Sequence, residues 1–79
     1  MNKTFQLILE AEPEGGYTVT VPSLPGLVTY GETLEEARAM AREAIALYLE
    51  DVIANGEDIP EGNDVLVGSL EVDLSAAHA

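Results

Sequence analysis

Residues 33–56 read TLEEARAMAREAIALYLEDVIANG, and the fold prediction starts from these residues. Thr33 and Glu36 match a capping box, in which the threonine hydroxyl accepts from the Glu36 backbone N–H and the carboxylate reaches back. Asn55-Gly56 is a natural helix end. Between them, apolar residues recur at steps of three and four, as on one face of an α-helix; they are Leu34, Ala37, Ala41, Ala44, Ile45, Tyr48 and Val52. One long helix with one apolar face is predicted.

Three strands are predicted before this helix. Residues 4–11 (TFQLILEA) and 17–21 (YTVTV) alternate with the period of a strand, and the glycine pair between them supplies the positive φ of a tight hairpin turn. Pro25 and Gly26 suit the centre of a type II turn, because proline fixes φ and glycine accepts a positive φ. Residues 27–30 (LVTY) then predict a short third strand that Gly31 ends.

The remaining chain predicts a loop and a last strand. Residues 57–64 (EDIPEGND) have a loop composition, and residues 66–74 (LVGSLEVDL) alternate again, which predicts a fourth strand. Residues 75–79 (SAAHA) are interpreted as a frayed tail. All 79 residues are assigned to a single domain.

The element order β-β-β-α-β predicts an α+β fold, a two-layer sandwich in which the helix covers one face of the sheet. If the first three strands meander, a right-handed crossover through the helix lays the fourth strand parallel to the first. The resulting order, 3-2-1-4, is that of a partial ribonuclease H-like sheet. The other sheet face is half apolar and has no predicted cover, so it is a candidate subunit contact.

The composition excludes several classes of protein. Three Lys plus Arg against fifteen Asp plus Glu give a net charge of −12, whereas nucleic-acid and membrane-surface binders need a basic face. A hydrophobic fraction of 47% is too high for a disordered acidic tail. The chain has no cysteine, no membrane-spanning stretch and no signal-peptide pattern. We expect a cytoplasmic domain without a cofactor, stabilised by packing or self-association.

Four motifs carry a family resemblance: YTVTVPSLPG at 17–26, YGETLEEA at 30–37, EA at 43–44 and GEDIP at 56–60. Together they resemble the HicB-type antitoxin domain, whose usual pattern is an aromatic-rich strand, P-D-L-P-G-C, G-D-T-x-E-E-A, a long helix and G-x-x-I-P. Ser23, Leu27 and Glu32 depart from that pattern, which has aspartate, cysteine and aspartate there. The matching positions have structural reasons here, in turns, cap and core: Pro25, Gly26, Gly31, Thr33, Glu36, Ala37, Gly56 and Pro60.

The resemblance implies that the chain binds and masks a small basic mRNA-cleaving toxin of the HicA type. An acidic surface suits such a partner, because it can occupy a basic RNA-binding surface. The same reading expects a homodimer or higher oligomer. Many HicB proteins continue into a DNA-binding segment, and because this sequence stops after its predicted fourth strand, DNA binding is not expected. The alternative is a stand-alone oligomeric interaction or regulatory module with no toxin partner.

Catalytic and metal-binding interpretations are weaker. A degenerate two-metal nuclease would need Glu10 together with Glu71 or Asp73, which are more simply solvated strand positions. The acidic loop at 57–64 lacks the ligand spacing of an EF-hand. His78, the one histidine, lies in the tail and is given no role. No catalytic or metal-binding residue is predicted.

Partner binding is instead assigned to four residues. Glu43, Glu50 and Asp51 are candidate docking carboxylates on the helix, with a plain solvated helix face as the alternative. Tyr48 belongs to the apolar helix stripe, whereas Tyr30 stands at a strand end beside a turn. Because tyrosine is enriched in interfaces, Tyr30 is the candidate exposed anchor.

Overall fold

The helix predicted from the capping box spans Leu34–Ala54 (α1) in a computed structural model that describes residues 3–61 and 65–77. Thr33 Oγ1 accepts a hydrogen bond from the Glu36 backbone N–H at 3.0 Å, as predicted. Glu36 Oε1 accepts from the backbone N–H of Glu32 at 3.0 Å, one residue before the cap. Two backbone donors at the helix start are therefore satisfied by side chains.

The end of α1 is a Schellman motif. Gly56 has a φ of 72°, in the left-handed region, and its N–H donates to the Ile53 carbonyl at 3.0 Å. The N–H of Glu57 donates to the Val52 carbonyl at 3.0 Å, which completes the 6→1 and 5→2 pair of this motif. Glycine suits the position because it carries no Cβ to oppose a positive φ.

Three antiparallel strands precede α1: β1 (Ile8–Ala11), β2 (Tyr17–Thr20) and β3 (Val28–Gly31), in the order β1-β2-β3. Both predicted strand pairs are present, with Val19 opposite Leu9 on one side and Thr29 on the other. The first strand is shorter than predicted, because β2 ends where the chain turns and leaves residues 4–7 without a ladder partner.

The core lies between α1 and one face of the sheet, so the α+β fold with a covering helix is confirmed. One cluster joins Val19 of β2 to Ala37 and Ala41 of α1. A second cluster is built on the turn before β3, where Leu24 and Leu27 are buried and the Leu27 N–H donates to the Leu24 carbonyl at 3.1 Å.

The predicted fourth strand is not found. Residues 66–74 pair with no strand in the described parts of the chain, and Leu74–Ala77 form a 3-10 helix in place of a frayed tail. The order 3-2-1-4 is therefore replaced by a three-stranded sheet. An alternating pattern shows that a segment could bury one side as a strand, but it does not specify a free sheet edge with which that strand could pair. Residues 62–64 of the predicted loop and His78 lie outside the described residues.

Candidate partner-binding surface

The outer face of α1, turned away from the sheet, carries three of the four predicted docking residues. Leu47 is 64% exposed on this face. Its helical neighbours four residues before, three after and four after are Glu43, Glu50 and Asp51, all exposed. We call these four residues the outer acidic face. An exposed leucine with three carboxylates around it combines an apolar centre with a negative rim.

In the part of the chain that the structure describes, these carboxylates form no ion pair. Within residues 3–61 and 65–77, one ion pair is found, between Lys3 Nζ and Glu61 Oε1 at 3.5 Å, and it lies elsewhere. The negative potential of the outer acidic face is therefore available to a partner. Such a potential attracts basic surfaces and speeds their encounter, and salt screens it.

Tyr30 lies on the opposite layer of the molecule. Tyr30 pairs with Thr18 in the sheet, and its side chain lies on the sheet face that also carries Ile8 and Val28. Val19, the next residue along β2, lies on the other face and packs against α1. The Tyr30 hydroxyl donates a hydrogen bond to the Gly15 carbonyl at 2.9 Å. The structure therefore does not bring Tyr30 together with the helix carboxylates, and one flat partner surface cannot contact both.

The surroundings of Tyr30 raise the pKa of its hydroxyl, which is protonated at neutral pH even at its usual value. Desolvation raises the pKa of Tyr30 above its usual value, and the nearby carboxylates of Glu32, Glu14, Glu12 and Glu36 raise it further. The hydroxyl consequently stays a hydrogen-bond donor throughout the physiological pH range. Its contact with the Gly15 carbonyl ties β3 to the β1–β2 turn.

The family-motif glycine Gly31 allows β3 to approach the start of α1. A Cβ placed on Gly31 would contact backbone atoms of Ala37 and lie 2.8 Å from the carbonyl carbon of Glu36. Gly31 and Ala37 are both buried, so two small residues meet where strand and helix touch. Gly26, in the turn before β3, has a φ of 87°. Pro60, after the helix end, is half-buried.

The structure forms a surface that was not predicted from the sequence, a groove of about 610 Å³ between residues 3–7 and α1. Lys3, Arg38 and Arg42 line this groove, and they are all the lysine and arginine that the chain contains. We call it the basic groove. The one sequence signal was the spacing of Arg38 and Arg42, which places them one helical turn apart on the same face.

The structure assembles no candidate metal centre in the parts of the chain that it describes. Residues 3–61 and 65–77 hold no group of three or more His, Cys, Asp or Glu side chains that could bind a metal ion. Glu71 and Asp73 lie in the segment that forms no strand beside Glu10. Asp73 Oδ1 instead accepts from the Ser75 hydroxyl at 2.7 Å and from the Ser75 N–H at 2.9 Å. No helix in these residues is long and apolar enough to cross a membrane.

The fold and surfaces define an acidic helix-on-sheet domain whose exposed features suit macromolecular contact. A family model described as the HicB-like antitoxin of bacterial toxin–antitoxin systems matches residues 5–74. The chain belongs to this HicB-like antitoxin family. The match includes both turns, the cap and all of α1.

Curated relatives agree with this membership. Antitoxin HicB 1 of Photorhabdus laumondii is 37% identical, over 96% of this chain and 49% of its own length. An uncharacterised 14.9 kDa protein of Haemophilus phage HP1 is 40% identical, over 76% of this chain and 54% of its own. A UPF0150 protein of Synechocystis is 38% identical, over 86% of this chain and 85% of its own length. The chain thus spans about half of the first two proteins and most of the third.

Proposed function

We propose that this chain acts in the cytoplasm as an antitoxin that binds a small basic mRNA-cleaving toxin of the HicA type and masks it without catalysis. Membership of the HicB-like antitoxin family is the observation that carries the proposal. It is supported by the net charge of −12, which favours association with a basic protein.

The outer acidic face is the docking surface in this proposal. Leu47 provides an exposed apolar centre, and Glu43, Glu50 and Asp51 provide charge that no cation in the described residues neutralises. A basic RNA-binding surface seated there would be occluded from RNA. The mechanism is therefore steric and electrostatic, and we expect the chain to act as a homodimer or higher oligomer.

The test is co-purification with a catalytically inactive form of a toxin encoded beside this chain. The variant Glu43→Gln/Glu50→Gln/Asp51→Asn removes the rim charge. Three exposed ion pairs of about 0.2–1 kcal/mol each predict roughly 3- to 150-fold weaker binding. Raising the salt concentration should weaken the unmodified complex in the same direction.

The matched control, Glu35→Gln/Glu57→Gln/Asp58→Asn, changes the net charge equally at exposed positions away from the outer acidic face. Its toxin affinity should fall less than threefold, since only the long-range field changes. Equal weakening by both triple variants would reject the docking surface. Absence of any complex at low salt would reject the toxin-binding function.

A stand-alone interaction module is the second candidate function. The observation in its favour is the 38% identity to a UPF0150 relative, whose name specifies no toxin. A gene with no neighbour encoding a small basic protein would favour this candidate.

A further inference from the structure

The apolar floor of the basic groove is an unfilled extension of the core. Six half-buried or buried side chains from the N-terminal segment, α1 and the loop after it line the groove, namely Phe5, Leu7, Ala41, Ile45, Leu49 and Ile59. Phe5, Leu7 and Ile45 also pack against the two core clusters. Filling this groove with apolar side chains would continue the layer between sheet and helix.

The wall of the groove is a strand edge without a partner. Burial alternates from Thr4 onward, with Phe5 and Leu7 half-buried and Gln6 exposed, yet the ladder with β2 begins only at Ile8. Among residues 3–61 and 65–77, no strand pairs with the other side of β1. Unpaired backbone groups on such an edge are a template for another strand.

The same chain carries a segment with the properties of the missing strand. Residues 65–73 form no helix or strand, and Leu66 and Leu70 are 97% and 93% exposed. Val72, of the same parity as these leucines, is also exposed. The radius of gyration is 16.2 Å, against about 12 Å for a compact chain of this length. The segment therefore extends from its own domain with its apolar side in water.

The alternation of the segment determines which of its side chains would face the basic groove. The groove holds Lys3, Arg38 and Arg42, which are the whole positive side-chain charge of the chain apart from its histidine. The segment carries Glu71 and Asp73 on the parity opposite to its leucines. A strand that points its apolar side at the groove floor turns these carboxylates to the opposite face of the sheet, the face that carries the exposed Gln6.

We infer that residues 66–73 of one copy occupy the basic groove of a second copy and add a fourth strand to the free edge of β1. Reciprocal exchange fills both grooves and closes the pair, as a two-fold dimer requires. The Asp73–Ser75 hydrogen bonds end the strand at the 3-10 helix. This inference rests on the self-association included in the proposed function, but not on toxin binding.

Disulfide capture tests the exchange, because the chain has no cysteine of its own. Gln6→Cys is combined in turn with Ser69→Cys and Glu71→Cys, on separately tagged chains that are unfolded together, refolded and oxidised. Ser69 and Glu71 are both used because they are two residues apart on the same side of the strand, so that one of them should lie near Gln6 in either of two pairing registers. We expect a disulfide between the two tags in at least one combination, about tenfold above the control pair Glu35→Cys with Glu71→Cys.

A second measurement addresses the dimer itself. Leu70→Asp/Val72→Asp should raise the dimer dissociation constant at least tenfold in sedimentation or light scattering. Leu47→Asp, on the outer acidic face, should leave it within threefold while weakening toxin binding. The two variants therefore distinguish a failure of the toxin-binding proposal from a failure of the strand-exchange proposal.

Three results would overturn the inference. The first is a protein that stays monomeric even at a concentration 100-fold above the lowest at which the assay can detect a dimer. The second is a dimer whose cross-linking does not exceed the control. The third is an intrachain disulfide in monomeric Gln6→Cys/Glu71→Cys, since this would show that the segment folds back onto its own β1.

Discussion

Substituting Gly31 with alanine tests the contact on which the two layers depend. The added Cβ would overlap backbone atoms of Ala37 and stand 2.8 Å from the Glu36 carbonyl carbon. Neither atom belongs to a flexible side chain, so β3 and the start of α1 must separate. Gly31 has no positive φ, which means that the substitution adds steric overlap without backbone strain.

The magnitude follows from two opposing effects. Overpacking a close contact costs about 1–3 kcal/mol, and overlap with backbone atoms of α1, which cannot rotate away as a side chain can, argues for the upper end. Alanine recovers about 0.5–1 kcal/mol of conformational entropy relative to glycine. The free energy of unfolding of Gly31→Ala should therefore fall by about 2 kcal/mol. For a domain of this size, the melting temperature should fall by about 8–16 °C.

Thermal and urea denaturation followed by circular dichroism measure this change, with two glycine controls. Gly68→Ala meets nothing within 4 Å and has no positive φ, so its stability should stay within about 0.5 kcal/mol of the unmodified chain. Gly26→Ala also meets nothing within 4 Å, but its φ of 87° adds about 1–2 kcal/mol of strain. If Gly31→Ala melts no lower than Gly68→Ala, the proposed close approach of β3 and α1 is refuted.

Three further predictions concern single residues. Thr33→Ala should lower the free energy of unfolding by about 0.5–2 kcal/mol, because the Glu36 N–H loses its acceptor; an unchanged melting temperature would contradict this. Gly26→Val should cost more than a substitution at an exposed position of ordinary φ, since a β-branched residue resists a φ of 87°. The Ser75 hydrogen bonds lower the pKa of Asp73, so Ser75→Ala should raise it in a carboxyl NMR titration. Because the folded pKa is the lower one, this local stabilisation is present above the unfolded pKa of Asp73 and is lost as pH falls through the folded pKa.

The local elements were predictable from short residue patterns. The cap at Thr33, the positive φ at Gly26 and Gly56, and the apolar period of α1 depend on residues a few positions apart, whose sterics and hydrogen bonds act before any tertiary contact forms. The two strand hairpins follow for the same reason, since a short turn fixes which strand lies beside which. Family membership also came from these positions, because the motifs at 17–26 and 30–37 are the turn and cap themselves.

The relations between distant residues became visible in the three-dimensional fold. It separated Tyr30 from Glu43, Glu50 and Asp51 by placing them on opposite layers, which depends on the pairing of β3 with β2. It also gathered Lys3 with Arg38 and Arg42 around one groove. The predicted strand at 66–74 was wrong for the single chain, because alternation records which side chains can be buried together, whereas pairing requires an available edge, and no spacing within one sequence specifies where that edge lies.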